Sequence, residues 1–342
     1  MAAISEGEVA VYDRQLRLWG VQAQQRLLKS KVLVWGIEGS SVEVCKNLVL
    51  AGVNLTVRDH RPVADADVAF NYFLRTEDVG SKRAERVAAK LQEMNPLNTV
   101  GASSGSFSEG SDWELKDYDV VLLSLGVLDW DVSRALAINQ YCRKAGICFF
   151  LPISAGELAF FFSDLKEHTV QERSSAQGGS AAPEATPKEP AAPETLSFPS
   201  LSEWAQCAPK QLQEQKVDAS VLLFSLFVNF LHKSDGTLKI GADAAGRFEE
   251  FCSTEKCVPV IDGIVGLKEV YSLFFMEPLV HVASIAGGLL AQEVIKAITK
   301  RDPPMMNCVC FNANTSAALV ERIPAPQAPK KRKVVEETFD LD

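Results

Sequence analysis

Lys31-Val32-Leu33-Val34-Trp35-Gly36-Ile37-Glu38-Gly39-Ser40-Ser41 decides the fold class. Apolar residues run without a break into a glycine turn, and small residues open the next segment. This is the pattern of a buried strand over 31–35, a tight turn, and a helix from about Ser40 to Ala51. A second strand, Leu55-Thr56-Val57-Arg58, ends at Asp59. Residues 80–94 predict an amphipathic helix with Ala84, Val87, Ala88 and Leu91 on one face, and Asn95-Pro96 stops it. Val120-Val121-Leu122-Leu123-Ser124-Leu125 reads as a central strand covered on both sides, followed by a helix over 131–144 and a strand over 147–151. The alternation predicts an α/β fold, a Rossmann-like doubly wound parallel sheet.

A nucleotide-binding turn works because its glycines let backbone approach phosphate and the next helix aims its first N–H groups at the charge. Gly36 and Gly39 keep part of that pattern, but Ser41 stands in the place of a third glycine. Glu38 adds a carboxylate that repels phosphate. Asp59 follows Gly39 by 20 residues at the end of the second strand, the position of a ribose-binding acid. Two readings stay open: a nucleotide site, or a Rossmann turn kept for packing.

Upstream, residues 9–29 predict a helix that opens with Tyr12-Asp13-Arg14-Gln15-Leu16-Arg17-Leu18-Trp19-Gly20. Arg14 and Arg17 lie one helical turn apart. They form either a solvated basic face beside Asp13, or a device that neutralises phosphate charge in another subunit's site.

Downstream, 172–200 is rich in Ser, Ala, Pro, Glu and Gly and predicts a disordered linker, which we bound at 166–200. Residues 201–256 predict a small helical insertion. His281 to Lys300 reads as one long helix holding Gly287-Gly288, where another backbone packs closely within the chain or across subunits. Asn307 to Val320 predicts one or two strands. The tail, 326–342, carries Lys330, Lys331, Arg332 and Lys333 after Pro329 and then turns acidic. Four consecutive cations in a proline-rich terminus fit the acidic groove of a nuclear import receptor, which predicts a nuclear protein.

The bulk numbers exclude several classes. At 47% hydrophobic and 23% charged, the 342 residues predict an ordinary soluble, intracellular globular protein. A net charge of −9 argues against general nucleic-acid binding. The 11-residue run from Val221 to Leu231 is too short for a membrane span, and residues 1–11, with Glu6 and Glu8, do not read as a signal peptide. The eight cysteines lack a Cys-x-x-Cys pair and read as buried thiols; Cys308 and Cys310 share one strand face. The four histidines show no metal-ligand spacing, so no metal site is expected.

The stretch from Tyr12 to Gly20 resembles the N-terminal signature of the activating enzymes of ubiquitin-like proteins, a ThiF-like family. So do Val79-Gly80-Ser81-Lys82-Arg83-Ala84, leading to Met94-Asn95-Pro96, and the run from Ala286 to Ala297. With Arg301-Asp302-Pro303-Pro304 added, the chain is most similar to the small-subunit branch that works in SUMO activation. The resemblance covers about 8–165 and 258–322. It implies a pseudo-adenylation domain in two parts, 1–165 and 257–325. It also implies a heterodimer whose large catalytic subunit binds ATP and Mg, adenylates SUMO and takes it as a thioester, while the small subunit completes the site. Gly36, Gly39, Asp59 and Lys82 are then the contacts of a degenerate nucleotide site, and Arg14 reaches the partner's ATP in trans.

The departures from the active pattern agree. The family's phosphate-binding arginine falls on Phe70, and its metal-binding aspartate falls near Gly126, with Asp129 and Asp131 displaced along the chain. Losing both removes charge stabilisation that adenylation needs, so no tightly bound cofactor is expected here. No cysteine lies in a segment that resembles the thioester-forming loop. The rivals are the corresponding subunit of the Nedd-type pathway, which carries a larger insertion, and a self-sufficient adenylating or NAD-dependent enzyme.

Overall fold

Strand β1 (Lys31–Trp35) lies inside an eight-stranded sheet, with every residue after Lys31 buried. This computed structural model describes residues 4–105, 114–128, 130–170, 194–234, 243–256, 274, 276 and 279–324. Parallel to β1 run β2 (Asn54–Arg58) and β4 (Val120–Leu123), with β3 (Val100–Ser103) beyond β2 and β5 (Cys148–Ala155) beyond β4. The sheet then turns antiparallel through β6 (Leu158–Asp164), β9 (Cys308–Asn312) and β10 (Ala317–Glu321). Its order is β10-β9-β6-β5-β4-β1-β2-β3. The chain reverses direction across the sheet between β1 and β4, so their carboxyl ends open a crevice, as doubly wound sheets do.

The side-chain period of two builds two cores. Val32 and Val34 join one, and Leu33 and Trp35 join the other. The first lies under α2 (Gly39–Leu50), α4 (Arg83–Met94) and the C-terminal helix α10 (Val280–Thr299); α1 (Glu6–Lys29) adds Leu27. The short α3 (Asp65–Phe70) runs between β2 and α4. The second core lies under α5 (Val132–Ala145), α6 (Leu201–Ala205), α7 (Pro209–Glu214), α8 (Ala219–Lys233) and α9 (Ala244–Thr254).

The helical stretch 201–256 is therefore not a unit of its own. Trp204 stacks on Phe160 and Phe162 of β6 at 5.1 and 5.2 Å, and its indole N–H donates to Ser225 at 3.0 Å. The two ends of the expected linker 166–200 are strands. Both its ends are paired: β7 (Glu167–Val170) forms an antiparallel ladder with β8 (Glu194–Ser197), and the composition-biased 171–193 lies outside the described residues. Helix α10 is long and apolar enough to cross a membrane by length alone, but it packs on α2, and its Leu290, Ala291 and Val294 belong to the core. Gly287 explains that contact. A Cβ there would stand 2.5 Å from the Glu43 Cβ and 2.9 Å from the Ser40 carbonyl oxygen, so the close approach is within the chain, while Gly288 faces open space.

Candidate functional site

The crevice at the ends of β1, β2 and β4 is a cleft of about 390 Å³. Its walls include Glu38, Gly39, Arg61, Phe70, Arg83 and Gly126. Its construction starts with Ser41. The hydroxyl of Ser41 shares its one proton between the turn carbonyls of Gly36 (2.8 Å) and Glu38 (2.6 Å), and accepts from the Glu38 amide at 2.9 Å. The Ile37 amide donates to Asp59 at 2.9 Å, and the Gly36 amide to the Arg58 carbonyl at 2.8 Å. The amides of Gly36, Ile37 and Glu38 are thus engaged inside the protein.

Asp59 is engaged as fully. Its side chain is buried, and Arg61 grips it through its backbone N–H and Nε (3.0 Å each, to Oδ1) and through Nη2 (2.7 Å, to Oδ2). Burial opposes the carboxylate charge. The hydrogen bonds and charge of Arg61, the Ile37 amide and the charge of Arg83 outweigh it and hold Asp59 below the usual carboxylate range. Arg61 reaches on to the carboxylate of Glu38. Burial opposes its charge as well, but Glu38 and Asp59 together raise its pKa.

Gly126 makes room for this arrangement. A Cβ at 126 would overlap the Glu38 carboxylate. The space where the resemblance places a metal-binding aspartate is filled by a carboxylate already neutralised by arginine. Asp131 is no substitute, because it caps α5, accepting from the Ser133 amide at 2.9 Å and the Arg134 amide at 3.3 Å. Asp129 lies outside the described residues. Phe70 stands in the cleft wall, where the resemblance places a phosphate-binding arginine. The residues present do not fit ATP with Mg: Asp59 is filled by Arg61 and the Ile37 amide, the metal position is filled by the Glu38 carboxylate, and that carboxylate stands in the turn where phosphate would lie.

Lys82 lies apart from the cleft. It is the N-cap of α4 with its side chain 63% exposed, bonded to Glu85 at 2.7 Å and absent from the cleft wall. The next residue, Arg83, takes that wall instead. It is buried, pairs with Asp67, donates to the Pro62 carbonyl at 3.3 Å and lies 3.7 Å from Asp59. Sequence reasoning also missed Arg61, which sits in a loop where no periodicity marks it.

The arginine helix is far more open. Tyr12, Gln15 and Trp19 share a face of α1 and tie it down. The Tyr12 hydroxyl accepts from Asn95 at 2.8 Å, Gln15 donates to the Leu50 carbonyl at 3.2 Å, and Trp19 donates to Gln24 at 2.8 Å. Gln24 in turn donates to the Ala51 carbonyl at 3.0 Å. Gly20, at φ +82°, breaks the helix just beyond, and Arg301 donates to the Leu18 carbonyl at 2.5 Å. The opposite face is exposed and carries Val11, Arg14 and Leu18. Arg17 is held by Asp13 at 3.0 Å, whereas Arg14 is exposed with no partner among the described residues.

The cysteines among the described residues are buried or nearly so. Burial pushes the thiols of Cys45, Cys142 and Cys148 up to about 12 and raises those of Cys207, Cys308 and Cys310. The described residues hold no cluster of three or more His, Cys, Asp or Glu side chains. The basic run at Lys330, Lys331, Arg332 and Lys333 lies outside the described residues.

Comparison with known proteins agrees with this architecture. The profile of the ThiF family matches residues 12–334. SUMO-activating enzyme subunit 1 of Bos taurus is 30% identical over 339 residues, covering 93% of this chain and 96% of that protein. The Homo sapiens protein of the same name is 30% identical, with 93% and 96% covered. Among solved structures, PaaA superposes with a TM-score of 0.56 at 14% identity, covering 94% of this chain and 76% of that one. Escherichia coli MccB with succinimide gives 0.52 at 13% identity, covering 91% and 71%. At such identities the two structures speak for the fold alone.

Proposed function

The chain belongs to the ThiF family, and we propose that within it the protein serves as the non-catalytic small subunit of a SUMO-activating heterodimer. The large subunit binds ATP and Mg, adenylates SUMO and carries it as a thioester. This chain supports the reaction by lending Arg14 to the partner's phosphates. The names and full-length coverage of the relatives support the branch. The observation that carries the division of labour is a contrast within one chain. The cleft's ribose acid is held at four points, three from Arg61 and one from the Ile37 amide, while Arg14 stands exposed on a helix pinned along its other face.

ATP–pyrophosphate exchange tests the proposal. The purified chain alone, with SUMO present, is expected to give none, and exchange is expected once the large subunit is added. Robust exchange by the chain alone would make it a self-sufficient adenylating enzyme. Exchange with a Nedd-type modifier in place of SUMO would move it to that pathway.

We further propose nuclear import through Lys330, Lys331, Arg332 and Lys333. Deleting 329–334 is expected to leave exchange intact and to lower the nuclear fraction of the free chain in fractionated cells. An unchanged nuclear fraction for a chain expressed without its partner would remove the assignment.

A further inference from the structure

We infer that Arg61 is a built-in occupant of the ribose subsite, a guanidinium that shuts this cleft to nucleosides by bridging Asp59 and Glu38. The inference rests on the reading of the chain as a subunit without a competent nucleotide site, and it names the residue responsible. In a doubly wound sheet, the acid at the end of the second strand takes the ribose hydroxyls. A carboxylate offers about four lone-pair positions. Asp59 fills them all: Oδ1 accepts the backbone N–H and Nε of Arg61 at 3.0 Å each, and Oδ2 accepts Nη2 at 2.7 Å and the Ile37 amide at 2.9 Å. No position is left for a ribose hydroxyl.

The other end of the guanidinium binds Glu38, whose carboxylate lies against Gly126. One cation thus ties the β1 turn and the end of β2 together over the start of the segment after β4. These are the three places a bound nucleotide would span. A nucleoside must displace Arg61 from two carboxylates at once, which leaves Glu38 without its cation and Asp59 with only the more distant Arg83, 3.7 Å away. A planar fork suits this role better than an ammonium, because only the fork can satisfy one carboxylate bidentately while reaching a second.

The arrangement also says what removing Arg61 would admit. Asp59 would regain free lone pairs, but Glu38 would still repel phosphate. The opened cleft should therefore take adenosine in preference to ATP, and removing Glu38 as well should reduce that preference.

The test uses the full-length chain and adenosine, ATP and Mg-ATP as probes, read by calorimetric titration and by ligand-dependent shifts in melting temperature. Wild type is expected to show no shift with any of them. Arg61→Ala is expected to melt lower and to regain part of the loss as adenosine is raised, since a ligand that binds only the folded state stabilises it in proportion to its occupancy. ATP should give a smaller shift, and Arg61→Ala with Glu38→Gly should narrow the gap between the two. If Arg61→Ala does not fold, Arg61→Lys is read in the same way, because it keeps the buried charge but cannot span both carboxylates. Three results would overturn the inference: adenosine binding by wild type, a folded variant no more responsive than wild type, or loss of fold in both variants, which would make Arg61 purely structural. Pyrophosphate exchange run on the same wild-type preparation separates the two failures. Exchange by the isolated chain defeats the proposed function, whereas no exchange together with an unresponsive Arg61 variant defeats only this inference.

Discussion

Arg14→Ala in the reconstituted heterodimer is expected to cut SUMO adenylation by well over tenfold, a loss of more than about 1.4 kcal/mol of transition-state stabilisation. Adenylation builds negative charge on the phosphates as pyrophosphate departs. A guanidinium held from outside the main site answers that charge in the transition state more than in the ground state, so the loss should fall mainly on kcat rather than on KM for ATP. Arginines supplied in trans to phosphoryl transfer change rates by about 10³–10⁵-fold. The effect here should be smaller, because the partner keeps its own phosphate ligands and metal. Stability should hardly change, since Arg14 is exposed and bonds nothing among the described residues. Arg14→Lys should restore the rate only in part, because an ammonium cannot reproduce the bidentate fork. Arg17 supplies the control: its guanidinium is 80% exposed and already paired with Asp13 on the same helix. A wild-type single-turnover rate of adenylate formation for Arg14→Ala, or a larger loss for Arg17→Ala, would refute the assignment.

Much of the frame that positions these residues is legible in the sequence, for physical reasons. β1 and β4 are buried on both faces and so read as unbroken apolar runs, and α4 shows its 3.6-residue period because only one side meets the sheet. β3 escapes notice because Val100–Ser103 is short, half exposed and contains glycine, so neither period two nor an apolar run marks it. β7 and β8 pair across a composition-biased segment, and no local pattern announces a partner so far along the chain.

The candidate site divides in the same way. Gly36, Gly39, Ser41 and Asp59 are fixed by the strand–turn–helix geometry and could be placed from spacing. Lys82 and Arg83 could not be told apart. They are adjacent cations at a helix start: Lys82, the extended N-cap, faces solvent, whereas Arg83, the first helical residue, lines the cleft. Arg61 lies in a loop, where a side chain's direction is set by tertiary partners, so its grip on Asp59 became visible only with the fold. The Glu38 carboxylate, which the sequence marks as hostile to phosphate, turns out to be held there by that same arginine.

Tyr12→Ala is expected to be the most destabilising single change in the N-terminal helix, at about 3–5 kcal/mol by the usual cost of deleting a buried aromatic ring. Tyr12 is fully buried although Val11 before it is exposed and Asp13 after it only half-buried. Its ring packs on Gly52, where a Cβ would come within 3.0 Å of the ring and hydroxyl and where φ is +90°, so glycine is required on both counts. Its hydroxyl accepts from Asn95, which also donates to the Val49 carbonyl at 2.8 Å. Two signatures 83 residues apart in sequence are thereby joined in a single contact. Tyr12→Phe keeps the ring and should cost only about 1 kcal/mol, the net value of one hydrogen bond. The two variants therefore separate packing from polarity in urea denaturation. The functional consequence follows from position. Arg14 lies two residues beyond this anchor, so a helix freed at Tyr12 presents its guanidinium over a spread of positions. Adenylation by the Tyr12→Ala heterodimer should fall although Arg14 is intact, while Tyr12→Phe stays near wild type, because misplacing a group by even an ångström is costly in the transition state. A Tyr12→Ala chain with the wild-type urea midpoint would show that the anchor does not hold the helix. A stable variant with full adenylation would show that Arg14 acts without it.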